Sequence, residues 1–348
     1  MALPDVIDTL DMLDAIRSLP EQVERAAATA GEVDGPFPDH DTIENVVVLG
    51  MGGSGMAGDV VREVAGPFMP VPVVVHKGYG MPNFISDNTL VFAVSFSGNT
   101  EETLEAVAEA AAAGGHVVAV SHGGELQAMA GEWGVPHLPV ADGIPMPRAG
   151  IGAVSIPPLV VLERLGLFPG ATSWIDAAVA QLRKRRDELV TGSNPARDLA
   201  RRIGRELPIV YGGGGLGAAA ALRWKNQFNE NAKVPAFWNQ LPELCHNELC
   251  GWGQHGDVTR QVFRLINVRH DFEHPQIMRR FELVNEMVDE VVSEIEEVHA
   301  EGEGSLAQLF DLVIYGDFVS LYLAYDADVD PGPVAVLDWM KERLTEPV

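Results

Sequence analysis

Val46-Val47-Val48-Leu49-Gly50-Met51-Gly52-Gly53-Ser54-Gly55 is the stretch on which the fold turns. Four consecutive apolar residues, three of them β-branched, suit a strand covered on both faces, as strands of parallel sheets are. The run stops in glycines, and a helical stretch follows over about 56–64. A strand that ends in a glycine turn and opens a helix presents free N–H groups and the positive end of the helix to whatever lies beyond the strand.

Outward from there the same alternation continues. Residues 71–75, 89–94, 116–121 and 136–140 read as strands, with helices over 100–113 and about 125–131. Strand and helix in alternation imply a parallel sheet with helices on both faces. Upstream, residues 3–30 read as one or two amphipathic helices, and 31–41 is a Gly, Pro and Asp-rich loop. Downstream, 157–206 is mostly helical. The pattern then restarts with an apolar strand at 207–211, the glycine run Gly212-Gly213-Gly214-Gly215-Leu216-Gly217 and a helix over about 218–229. A loop over 234–243, a strand over 263–268, a helix over 275–297, a strand or buried helix start at 312–315 and a helix over 317–325 complete this half. A turn at 331–333 and a helix at 336–344 close the chain. The expected division is an N-terminal helical segment (1–40), a first α/β domain (41–156), linking helices (157–206), a second α/β domain (207–326) and a C-terminal tail and helix (327–348). The shared plan of the halves reads as an internal duplication.

Composition limits what such a chain does. Its 348 residues suit two domains, and 47% hydrophobic with 21% charged residues is ordinary for a globular protein. A net charge of −26 speaks against nucleic acid and against an anionic membrane surface, since both need a basic face. It does not speak against a small phosphate, which a local cradle of N–H groups can hold. Cys245 and Cys250 form neither a disulfide framework nor a zinc spacing, no basic-headed signal segment is evident over 1–17, and the apolar runs fall short of a membrane span. A reducing, cytoplasmic setting is the simple reading.

Both glycine runs formally fit G-x-G-x-x-G. A dinucleotide site also needs a carboxylate near the end of the second strand, and that strand ends Val75-His76-Lys77. The next strand end is more telling. It runs into Ser95-Phe96-Ser97-Gly98-Asn99-Thr100, three hydroxyls on a tight turn before a helix. Thr100 alone would be explained as an N-cap. Ser95 and Ser97 are not, and hydroxyls with free N–H groups satisfy phosphate oxygens without a lysine.

Ser95-Phe96-Ser97-Gly98-Asn99-Thr100 resembles the phosphosugar loop of sugar-isomerase (SIS) domains, and Gly50-Met51-Gly52-Gly53-Ser54-Gly55 resembles the turn that precedes it. With its two lobes the chain resembles the bifunctional phosphoglucose/phosphomannose isomerase family over nearly its whole length. The resemblance implies two SIS domains, each a parallel β-sheet flanked by helices on both faces. It implies a hexose 6-phosphate substrate, aldose–ketose isomerisation, no metal and no other cofactor. It places phosphate on Gly53, Ser54, Ser95, Ser97 and Thr100.

Isomerisation moves a proton between adjacent carbons and needs a base, a ring-opening group and positive charge beside the enediolate. The segment Asn229-Glu230-Asn231-Ala232-Lys233 is similar to the family's glutamate motif, which makes Glu230 the base; otherwise it would be a solvated Glu at a helix end. Pro242-Glu243-Leu244-Cys245-His246-Asn247-Glu248 is similar to the histidine motif. It implies that His246 opens the ring in the neighbouring subunit's site, and so a homodimer. His246 and Glu248 alone are a poor metal pair. Pro147-Arg148-Ala149 resembles the segment whose arginine stabilises the enediolate, and Lys341 falls where the family places a lysine that touches the sugar. Three departures stand out: Cys245 within the histidine motif, Gly332 where a hydroxyl residue would face the sugar, and the second lobe's Val268-Arg269-His270-Asp271 in place of a serine loop. Only the first lobe should hold phosphate. The alternative reading is a non-catalytic phosphosugar sensor, which needs the serine loop but not Glu230, His246 and Arg148.

Overall fold

The structure is a computed structural model that describes residues 6–344. The first residues of the expected N-terminal helical segment, and 345–348 of the tail, lie outside the described residues.

Helices α1 (Met12–Arg17) and α2 (Leu19–Glu32) precede β1 (Asn45–Leu49). Next come α3 (Gly52–Val60), which runs on through a wider π turn Val61–Ala65, then β2 (Val73–His76), β3 (Thr89–Val94), α4 (Glu101–Ala112), β4 (His116–Ser121), α5 (Gly124–Trp133) and β5 (His137–Pro139). A 3-10 turn, Pro147–Gly150, leads into α6 (Ile151–Arg164), α7 (Ala171–Leu189) and α8 (Pro195–Ile203). The second lobe follows as β6 (Leu207–Gly213), α9 (Gly214–Glu230), β7 (Phe237–Leu241), α10 (Gly256–Val262), β8 (Phe263–Arg269), α11 (Pro275–Val288), β9 (Ile295–His299) and α12 (Ser305–Asp326). Helix α13 (Ala335–Leu344) ends the described chain.

Both sheets are parallel throughout, ordered β2-β1-β3-β4-β5 and β7-β6-β8-β9. In each, the chain leaves the first strand to one side and returns on the other, so a crevice opens between the carboxyl ends of β1 and β3 and again between those of β6 and β8. The two parallel sheets with flanking helices agree with the expected fold.

Two stretches differ from the sequence reading, and a third that it left open is decided. The loop expected over 234–243 contains β7, an edge strand. The helix expected over 275–297 stops at Val288, and Ile295–His299 is β9. Its Glu296 and Glu297 hide the strand in the sequence, because their charges are met by Arg202, Arg264 and Arg269 from neighbouring elements. Residues 312–315, read as a strand or a buried helix start, are buried helix inside α12.

Helix α12 explains its own ambiguity. Every residue from Ser305 to Tyr325 is buried, so the helix is covered on all sides and lacks an amphipathic stripe. By length and hydropathy it would cross a membrane, contrary to the expectation that no apolar run does. Here it is the shared core, with α7, α8 and α9 packed around it. Its buried carboxylates are paired, Asp311 with Arg185 at 2.8 Å and Asp317 with Arg223 at 2.7 Å.

Candidate active site at the mouth of the first lobe

The loop after β3 and the turn after β1 meet at the first crevice. Gly98 makes the loop possible. Its φ is +73°, and a methyl group there would lie 1.8 Å from the Gly123 carbonyl oxygen. Asn99 seats the loop on α5 by accepting the Glu125 N–H at 3.0 Å. Ser54 ties turn to loop, its Oγ accepting the Phe96 N–H at 2.9 Å. The first N–H groups of α3, from Gly52, Gly53 and Ser54, have no partner within the helix and face this crevice.

The hydroxyls divide into two kinds. Ser97 is exposed at the loop tip, and Thr100 is half-buried just before α4. Thr100 makes no side-chain cap bond, so capping does not account for it. Ser95 differs from the other hydroxyls: it is fully buried, its Oγ 2.8 Å from the Thr100 hydroxyl and accepting the Gly98 N–H at 3.1 Å. That hydroxyl braces the loop from inside.

Glycines bring the arginine to this cradle. A methyl on Gly53 would come within 3.1 Å of the Pro147 carbonyl oxygen, and one on Gly150 within 2.6 Å of the Phe96 ring. The Pro147–Gly150 turn therefore lies directly on the 50–55 turn and the 95–100 loop. Arg148 is 2% exposed. Its Nε donates to Asn231 Oδ1 at 2.7 Å, and its Nη2 donates to the carbonyls of Pro331 and Gly332. Its Nη1 is buried with no hydrogen-bond partner and stands 3.7 Å from Glu230 Oε2. Burial draws the Arg148 guanidinium below its usual pKa, and Glu230 opposes that. Glu230, at the last position of α9, keeps about a third of its side chain exposed (31%).

Sequence reasoning quoted Asn231 and Lys233 but gave them no work. Asn231 is fully buried and holds Arg148. Lys233 has a left-handed backbone, φ +58°, and its Nζ donates to the Glu230 carbonyl and, at 3.4 Å, to that of Pro331. Burial first, then Arg148, lowers its pKa. The signal was their spacing from Glu230, one and three residues on, at a helix end where side chains crowd one place.

His246 and Lys341 do not join this cluster within the chain. His246 is exposed in the Glu243–His246 turn, and Lys341 is exposed on α13, none of whose residues is buried. Glu248 is engaged by Tyr211 and by Asn239 at 2.6 Å, so it offers His246 no second ligand. Among the described residues, the one group with metal-ligand proximity is the exposed Asp39, His40 and Asp41, in the stretch between α2 and β1.

Two parallel sheets, each with a glycine turn at its crossover, and one hydroxyl loop define the class: a protein with two SIS domains. The comparisons agree. A family described as "SIS domain" matches residues 42–129, and "Bacterial phospho-glucose isomerase C-terminal SIS domain" matches residues 192–344. The chain is 34% identical over 339 residues to a bifunctional phosphoglucose/phosphomannose isomerase of Caldicellulosiruptor bescii, covering 96% of this chain and 99% of that one. A protein of the same description from Thermoplasma acidophilum is 32% identical, covering 97% and 98%. Among solved structures, the C-terminal domain of glucosamine-fructose-6-phosphate aminotransferase from Francisella tularensis has a TM-score of 0.70 at 15% identity, covering 93% of this chain and 97% of that chain, a likeness of fold alone. This chain belongs to the bifunctional phosphoglucose/phosphomannose isomerase family, and is of the phosphosugar isomerase type.

Proposed function

We propose that this chain interconverts glucose 6-phosphate, mannose 6-phosphate or both with fructose 6-phosphate through a cis-enediolate. One observation carries the reading: a buried guanidinium N–H of Arg148 has no partner and stands beside the Glu230 carboxylate at the mouth of the hydroxyl loop. A buried donor left unpaired is costly unless a ligand completes it.

In this reading Gly53, Ser54, Ser97 and Thr100 hold the phosphate, with Ser95 fixing their geometry. Glu230 removes the C2 proton of the open-chain aldose. The C–H electrons form the C1=C2 double bond, and the carbonyl electrons move to O1, where Arg148 Nη1 meets the charge. Glu230 returns the same proton to C1, the O2–H electrons form the C2=O bond, and the O2 proton passes to O1, which becomes the C1 hydroxyl of the ketose. His246 opens the ring from the neighbouring subunit of a homodimer, and Lys341 reaches the sugar from α13; their exposure supports roles outside their own subunit's cluster. The same exposure keeps the sensor reading in play for a chain that stays monomeric.

A coupled assay of fructose 6-phosphate formation from several hexose 6-phosphates tests this directly. Glu230→Gln is expected to lose about three orders of magnitude or more in kcat, in line with removal of a general base, while still binding the phosphosugar. Binding lost along with turnover would make Glu230 structural. Wild-type binding without turnover would establish the sensor.

A further inference from the structure

Arg148 is gripped at both ends by the second lobe. Arg223 donates to the Arg148 carbonyl at 2.6 Å and pairs through two hydrogen bonds with Asp317 of α12, at 3.0 and 2.7 Å. Ser320, one turn along α12, donates to the Asp317 carbonyl at 2.7 Å. Asn231 closes the ring: its Nδ2 donates to Ser320 Oγ at 2.9 Å and its Oδ1 accepts Arg148 Nε at 2.7 Å. Every member is at most 2% exposed. Consecutive residues at the end of α9 therefore address one guanidinium, Asn231 at Nε and Glu230 at Nη1.

We propose that Asn231 is a positioning residue for the enediolate: it aims the free Nη1 of Arg148 without consuming its charge. This rests on the roles given above to Glu230 and Arg148. An aspartate would accept the same hydrogen bond. It would also pair with the guanidinium and offset the charge meant for the reacting oxygen, besides losing the donor to Ser320. A neutral amide orients the cation and leaves it positive.

The test uses the full chain and two probes measured by calorimetry: inorganic phosphate, and a phosphorylated hydroxamate whose planar head mimics the enediolate. Asn231→Asp is expected to lower kcat by roughly a hundredfold, the scale of a misplaced catalytic group, with KM changed by less than about threefold. Hydroxamate affinity should fall in step, and phosphate affinity should stay. Ser320→Ala leaves the amide in place but unanchored, and should show the same pattern at about a tenth of the size; it carries the test if the aspartate variant fails to fold. Equal losses for both probes, or undiminished hydroxamate affinity, overturns the proposal. If wild type turns over no hexose phosphate, the isomerase reading fails separately, and the two affinities still decide the role of Asn231.

Discussion

Residues 50–55 and 212–217 occupy the same place in their two sheets, yet their surroundings differ. Each follows the strand from which the chain reverses direction, and each opens a helix. What differs is the end of the neighbouring strand. After β3 come hydroxyls on a glycine turn. After β8 comes His270, 8% exposed, whose Nε2 lies 2.9 Å from the Gly213 carbonyl oxygen and whose Nδ1 accepts the Phe272 N–H. Beside it Arg269 is bound to Glu273 at 2.7 Å and to Glu297 at 3.1 Å. Glu63, from the π turn after α3, lies so close that a methyl on Gly215 would be 1.6 Å from its Oε2. A carboxylate from one lobe thus already rests against the glycine turn of the other. A glycine turn is a backbone shape, and its neighbours decide whether that shape receives a ligand or packs.

The largest expected effect tests how far the loop beside the first turn depends on its backbone. Gly98→Ala sets a methyl against a carbonyl at a left-handed position, with no side chain free to yield, so about 3 kcal/mol or more of stability should go, with phosphosugar binding. Chemical denaturation and calorimetry measure both; near wild-type affinity would mean the loop is not the cradle. Next, Ser54→Ala removes both the hydroxyl proposed to hold phosphate and the acceptor for Phe96. It should raise KM about tenfold for about 1 kcal/mol of stability, and steady-state kinetics on the folded variant decides it.

A smaller effect belongs to the second turn. Burial holds the His270 pKa below its ordinary 6.5, so the unfolded chain takes up a proton more readily than the folded one. The stability this contributes is complete above pH 6.5 and drains as pH falls below it. His270→Gln keeps a donor for Gly213 and should flatten part of that loss in thermal melts. His137 is displaced the same way by burial and leaves a remainder. Equal acid sensitivity of variant and wild type would remove His270 from the account. Smallest is Gly215→Ala. Its obstacle is the end of a flexible glutamate, so a loss under about 1 kcal/mol and unchanged phosphate affinity are expected. A loss as large as that of Gly98→Ala would show Glu63 to be a rigid lock between lobes.

Much of the fold was legible. Strands at 89–94 and 116–121 match residue for residue, because each is a short apolar run bounded by turn signals. Strand β9 was not, because its charges are neutralised only by distant arginines, and α12 was ambiguous because total burial erases periodicity. In the site, Arg148 and Glu230 were named from their motifs and do lie together. Ser95 was named as a contact and is an internal brace, a distinction no spacing carries. His246 and Lys341 were named and remain apart from Glu230 within one chain.

By itself the sequence determined which backbone shapes recur, since apolar runs and glycine conformation are local properties. It determined too that a hydroxyl loop follows one turn and not the other. Only the tertiary structure decided that Arg148 would be clasped by Asn231, Arg223 and the Pro331–Gly332 carbonyls, and that Glu63 would lie on the second turn. Those contacts join residues about 75 to 184 positions apart, and packing and burial, not local preference, set which of them form.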